Sequence, residues 1–175
     1  MRYVALLRGI NVGGRNKIKM EKLRDMFSSL DFENVKSYIA SGNVAFDTRK
    51  LNNLKLAEKI AKAIEKEFSL AIKVLVRSRS EIEKIIENNP FEGQYENEKD
   101  LHVFFLDEEV PKEKRELLLS NNSEKEKFAV QDLEIFVLLK VGFLESLVGK
   151  SYIDKKLKIP TTARNWRTVK KIAEL

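Results

Sequence analysis

The chain has 175 residues and a hydrophobic fraction of 43%, enough for a packed interior in one domain or two small ones. It has no cysteine and a single histidine, His102, which excludes a disulfide framework, thiolate chemistry and any multi-histidine metal site. Lys and Arg number 33 against 27 Asp and Glu, a net charge of +6, and no apolar run reaches the ~18 residues of a membrane span, so a soluble, cytoplasmic protein with no membrane partner is expected.

The charge is unevenly placed. Residues 1–49 hold nine Lys/Arg and five Asp/Glu, and residues 150–175 hold eight and two. The stretch between them is net acidic. If the ends meet in the fold, they form one positive surface that attracts an anionic partner. Solvating lysines on helix faces are the alternative.

In chain order, residues 2–7 are an apolar run that suits a central strand covered on both faces. Arg8-Gly9-Ile10-Asn11-Val12-Gly13-Gly14 follows, with Arg15, Lys17 and Lys19 close behind. Three of the seven glycines fall there. A strand, a basic glycine loop and a helix make the local recipe for holding an anion on backbone N–H groups. A tight turn with a solvated flank is the competing reading. Residues 20–30 carry apolar positions at helical spacing. Residues 34–39 and 43–47 read as strands joined through Ala40-Ser41-Gly42-Asn43. Residues 51–68 repeat the helical period, and residues 71–77 alternate with Ile72, Val74 and Val76 on one face. The order is β-α-β-β-α-β, the ferredoxin-like arrangement.

Ser80 with Glu83 has capping-box spacing ahead of a helix that stops before Pro90. Residues 92–100 read as a linker or long loop. A second cycle follows: a strand over 101–106, a helix over 111–119, a hairpin of 128–130 and 133–139, and a short helix over 143–148. Residues 150–160 read as basic and irregular, and a last helix is expected from about Ala163, capped by Thr161 or Thr162. The fold class expected is α+β, two ferredoxin-like halves packed into one compact unit, with residues 1–90 and 101–175 as the halves.

In that last helix Arg164, Asn165 and Thr168 would share a polar face by their spacing. Trp166 falls on the apolar face and reads as core. His102 shares a strand face with Phe104 and Leu106 and reads as a core or sheet residue rather than a general base. No G-x-x-x-x-G-K-[ST] or G-x-G-x-x-G pattern occurs, and no Ser-His-Asp or Cys-His set can be assembled.

The Arg8–Gly14 motif with the preceding Ala5-Leu6-Leu7, then Met20 with Leu23, Ser41-Gly42-Asn43 with Phe46, and Arg164-Asn165-Trp166 with Thr168, resembles the bacterial domain-of-unknown-function 1697 family. Ala40 stands where that resemblance leads one to expect a larger, often polar, residue. The resemblance implies a compact α/β fold with ferredoxin-like halves and no established activity. Its signature positions are Arg8, Gly9, Asn11, Gly13, Gly14, Ser41, Gly42, Asn43, Arg164, Asn165 and Thr168, the residues expected to line a ligand site. The three segments are expected to converge on one basic pocket.

Two functional classes follow. One is a binding module for an anionic small molecule, such as a phosphate-bearing compound or a nucleotide, or for a nucleic-acid backbone. Arg8 and Arg164 would hold the anion, glycine amides would cradle it, and Asn11 and Asn43 would orient it. The alternative is an enzyme acting on a phosphorylated small molecule by electrostatic stabilisation without a covalent intermediate. RNA recognition by the sheet lacks its aromatic signature. No metal and no cofactor are expected.

Overall fold

The computed structural model describes residues 1–175. Every residue of β1 (Arg2–Leu7) after Arg2 is buried, which accounts for its uninterrupted apolar sequence. β3 (Asn43–Asp47) and β4 (Val74–Ser78) flank it, both antiparallel, and β2 (Glu33–Tyr38) lies outside β3. The order β2-β3-β1-β4 is that of a ferredoxin-like sheet. α1 (Met20–Ser28) and α2 (Asn53–Phe68) bury Leu23, Phe27, Leu56, Ile60 and Ile64 in one core with Val44, Phe46, Val74 and Val76. Asn52 starts α2 by accepting from the Leu54 and Lys55 amides.

α3 (Arg79–Glu87) begins two residues earlier than a cap at Ser80 would start it. The box belongs to Ser78 and Glu81: the Glu81 amide donates to Ser78 Oγ at 3.3 Å, and the Ser78 amide donates to Glu81 Oε2 at 2.6 Å. Ser80 and Glu83 have the same spacing, so sequence alone could not choose the register.

The second sheet repeats the first. β5 (Leu101–Phe105) lies between β7 (Glu134–Leu139) and β8 (Thr162–Asn165), and β6 (Glu126–Gln131) lies outside β7; the order is β6-β7-β5-β8, all antiparallel. α4 (Lys112–Leu119) follows β5, and Leu118 joins Phe104, Phe128, Ile135 and Val137 in this half's core. Residues 92–100 hold only turns and bends.

Two expectations for this half need correction. Residues 143–148 do not form an α-helix but a 3-10 turn over Phe143–Glu145. The Leu147 amide, which a helix would direct at Phe143 O, donates instead to both oxygens of the buried Glu126 carboxylate at 2.8 and 3.1 Å. The last helix does not begin near Ala163 either. Residues 162–165 are β8, and α5 (Trp166–Ala173) follows, capped by Asn165, whose Oδ1 accepts from the Thr168 amide at 2.9 Å. Threonine and asparagine both cap helices, so the Thr161-Thr162 pair drew the boundary too early. The tail before β8 contains one π-helical turn, Tyr152–Lys156.

The two sheets match residue by residue at one place. Val4 of β1 opposes Arg77 of β4, and Val103 of β5 opposes Arg164 of β8. Both arginines are buried. Each donates Nη1 to the carbonyl of the residue before it, at 3.1 Å for Val76 and 2.8 Å for Ala163. The next residue, Ser78 or Asn165, caps the following helix. This pairing supports an internal duplication more strongly than element order does.

By its contacts the chain divides into Met1–Glu87 with Lys170–Leu175, and Asn88–Val169. The last six residues thus belong to the first unit, where Arg2 Nη2 donates to Leu175 O at 2.6 Å. No helix is long and apolar enough to cross a membrane.

Candidate functional site

The glycine loop leaves the end of β1, where two backbone bonds fix its root. The Leu7 amide donates to Gly42 O at 2.8 Å and the Arg8 amide to Lys73 O at 2.9 Å. Between residues 9 and 16, Gly9, Asn11, Gly13, Gly14 and Asn16 all have positive φ, from 46° to 75°. Glycine adopts that conformation without penalty, and asparagine tolerates it better than other residues with a Cβ. The sequence therefore dictates a backbone that repeatedly reverses hand. Such alternation turns successive N–H groups toward one concavity.

Asparagines hold the loop closed. Asn11 Nδ2 donates to Ile18 O and to Ala40 O, both at 2.9 Å, and its Oδ1 accepts from the Ile18 amide at 2.9 Å. Asn16 Nδ2 donates to Gly9 O at 3.1 Å, and the Asn11 amide donates to Asn16 O at 3.1 Å. Asn16 carried no flag in the sequence, although its tolerance of positive φ was the available signal. The amides of Arg8, Asn11, Arg15 and Ile18 close the loop, and Val12 pairs with Arg15 as an antiparallel bridge; the amides of Gly9, Gly13 and Gly14 are not among the donors. These three glycines are exposed, and a Cβ built on any of them would meet nothing within 4 Å. The loop's outer face is open.

The β2–β3 turn lies against this loop. Gly42 has φ 84°, and a Cβ there would lie 2.7 Å from Leu7 Cβ and 3.0 Å from Ile10 Cγ1. Its glycine serves close packing. Asn43 is fully buried and donates to Tyr38 O and Ser41 Oγ, both at 3.1 Å. Asn11 and Asn43 thus direct both amide hydrogens to protein acceptors, and they set the turns. Ala40 contributes its carbonyl, so its small side chain leaves that role intact.

Of the expected site residues, Arg8, Gly9, Asn11, Gly13, Gly14, Ser41, Gly42 and Asn43 belong to the first half, where the loop and the turn are bolted together. Arg164, Asn165 and Thr168 belong to the second half. Arg164 and Asn165 lie on β8 and only Thr168 lies on α5, so the three do not share a helix face. Burial draws its guanidinium down to about 10, still charged at neutral pH. Thr168 is buried.

The DUF1697 profile, described as a protein of unknown function, matches residues 1–136. The chain belongs to this family. The match holds the glycine loop and the Ser41 turn and ends before Arg164. Among solved structures, the conserved bacterial protein SP0830 from Streptococcus pneumoniae is similar at 29% identity, with a TM-score of 0.76 over 99% of this chain and 97% of that one. No curated protein matches. The DUF1697 fold here carries no group of three His, Asp or Glu side chains that could hold a metal ion. From Arg8 to Met20 it has four cations, no carboxylate and no imidazole. Chemically, that stretch can donate hydrogen bonds and attract negative charge.

Proposed function

We propose that this DUF1697 protein binds a phosphate-bearing small molecule or nucleotide at the glycine loop, in the bacterial cytoplasm. One observation carries the reading: the amides of three exposed residues, Gly9, Gly13 and Gly14, stand outside the loop's own hydrogen bonds within a backbone of alternating hand. Amides so arranged accept an anion with little reorganisation. Arg8, at the exit of β1, supplies a cation beside them. The stretch from residue 8 to residue 20 offers no carboxylate and no imidazole, so the reading proposed for it is one of binding. Asn165 and Thr168 are engaged in capping α5, so the reading rests on first-half residues.

The test is a thermal and chemical denaturation series with ATP, GTP and inorganic phosphate. A ligand at ~100 times its dissociation constant should add about 2.7 kcal/mol. Replacing Gly13 and Gly14 together by alanine should abolish that gain. No stabilisation by any phosphate compound would refute the proposal.

A further inference from the structure

We infer that the first half docks on the phosphate backbone of a nucleic-acid duplex, through the glycine loop and a basic row formed by Arg15, Lys17 and Lys19. The inference rests on the anion-binding reading and specifies its partner. The three cations are exposed, while Asn16 and Ile18 between them are half-buried and buried. None of the three forms an ion pair with a carboxylate. No acidic residue occurs from Arg8 to Met20 to offset them. Like charges at alternate positions repel, and a single phosphate group does not face all three. A row of phosphates along a strand does. Four residue steps reach at most about 14 Å. That is about four nucleotides at the ~3.4 Å rise of one strand.

The neighbouring side chains favour a duplex. Val12 is 60% exposed, and so is Ile39 at 52%; each adjoins, in sequence, one of the two residues joined by the Asn11–Ala40 bond. Ile39 has φ 49°, an unfavourable conformation for a β-branched residue. Aliphatic side chains at the tips of basic loops act as wedges in a groove. Residues 8–20 contain no aromatic side chain to stack on single-stranded bases. Two aliphatic side chains are also too little for a membrane, where stable anchoring takes a second strong signal.

The experiment is fluorescence anisotropy with a mixed-sequence DNA duplex over a salt series, run beside ATP, a single strand and phosphatidylserine vesicles. For three neutralised phosphates, log K should fall with log salt at a slope of about −2.7. The variant R15A/K17A/K19A should lose at least roughly tenfold in duplex affinity and most of that slope. The charge-matched control K55A/K62A/K66A, on the exposed face of α2, should lose little; circular dichroism checks that both fold. The inference is overturned if the control loses as much, if the slope is shallower than about −1, or if single strand or vesicles bind more tightly than duplex. ATP binding without duplex binding would remove this inference and keep the small-ligand reading. Binding of neither would remove both.

Discussion

Asn11 donates to the Ala40 carbonyl at 2.9 Å, and this bond fastens the glycine loop to the β2–β3 turn. The same amide nitrogen reaches Ile18 O, so one side chain holds three points of backbone. Asn11→Asp keeps the size, the acceptor and the tolerance of positive φ, but it donates nothing. The Ile18 and Ala40 carbonyls then lose a donor and face a carboxylate. The expected cost is about 1–3 kcal/mol, read as a lower urea midpoint with unchanged m-value. A midpoint equal to wild type would show that the bolt contributes nothing.

Gly42 and Gly13 share positive φ but not surroundings. Alanine at Gly13 meets open space and incurs only the backbone penalty, about 1–2 kcal/mol. Alanine at Gly42 adds a collision with Leu7 Cβ, which β1 holds in place. Gly42→Ala should therefore be the more destabilising by at least about 1 kcal/mol, because overpacking adds its own term. Equal losses by calorimetry would contradict the packing role.

The sequence made the first half legible because its signals were redundant. Apolar runs, helical periods and turn residues agreed on each element from β1 to β4, and the order fixed β1 beside β3. The loop was equally readable, since Gly9, Gly13 and Gly14 admit few other uses. What stayed hidden were choices between equivalent signals. Ser78 and Ser80 each stand three residues before a glutamate, and Thr161, Thr162 and Asn165 are all of residue types that cap helices, though only Asn165 does so here. The choice is made by tertiary contacts, such as Asn53 reaching Glu81 and β8 pairing with β5. Arg77 and its counterpart Arg164 were unreadable as a pair, because their likeness lies in register against Val4 and Val103 and not in local sequence.

Glu81 links the start of α3 to the start of α2. Its carboxylate accepts from Asn53, from the Ser78 amide and from Ser78 Oγ. Burial by itself raises this carboxyl, but the hydrogen bonds from Asn53 and Ser78 and the charge of Arg77 outweigh it and hold it below the ordinary 4.5. A depressed acid contributes stability above its unfolded value and loses it as pH falls through the folded one. Glu81→Gln should cost about 1.5 kcal/mol or more at neutral pH and should reduce the loss of stability seen in wild type below 4.5. Parallel acid-unfolding curves for the two proteins would contradict this.

His102 should behave in the opposite region of pH. It is half-buried on β5, its ring centroid is 5.2 Å from that of Phe143, and its Nδ1 has no hydrogen-bond partner. Burial lowers the imidazole from the ordinary 6.5, against a smaller opposing effect from Asp100. In the unfolded chain the ring takes up its proton near 6.5, whereas in the folded chain it requires a lower pH. Between those values the unfolded state binds more protons, so stability falls as pH drops, by at most about 1.4 kcal/mol per pH unit. Below the folded value the effect levels off. His102→Phe removes the titration and keeps a flat ring beside Phe143. Its urea midpoint should match or exceed wild type at about pH 7.5, and it should show a smaller drop by about pH 5.5. Phosphate-ligand binding should be retained, since the ring belongs to the sheet and not to the glycine loop. A variant that folds, loses the ligand and keeps the wild-type pH slope would show that the one histidine serves the site.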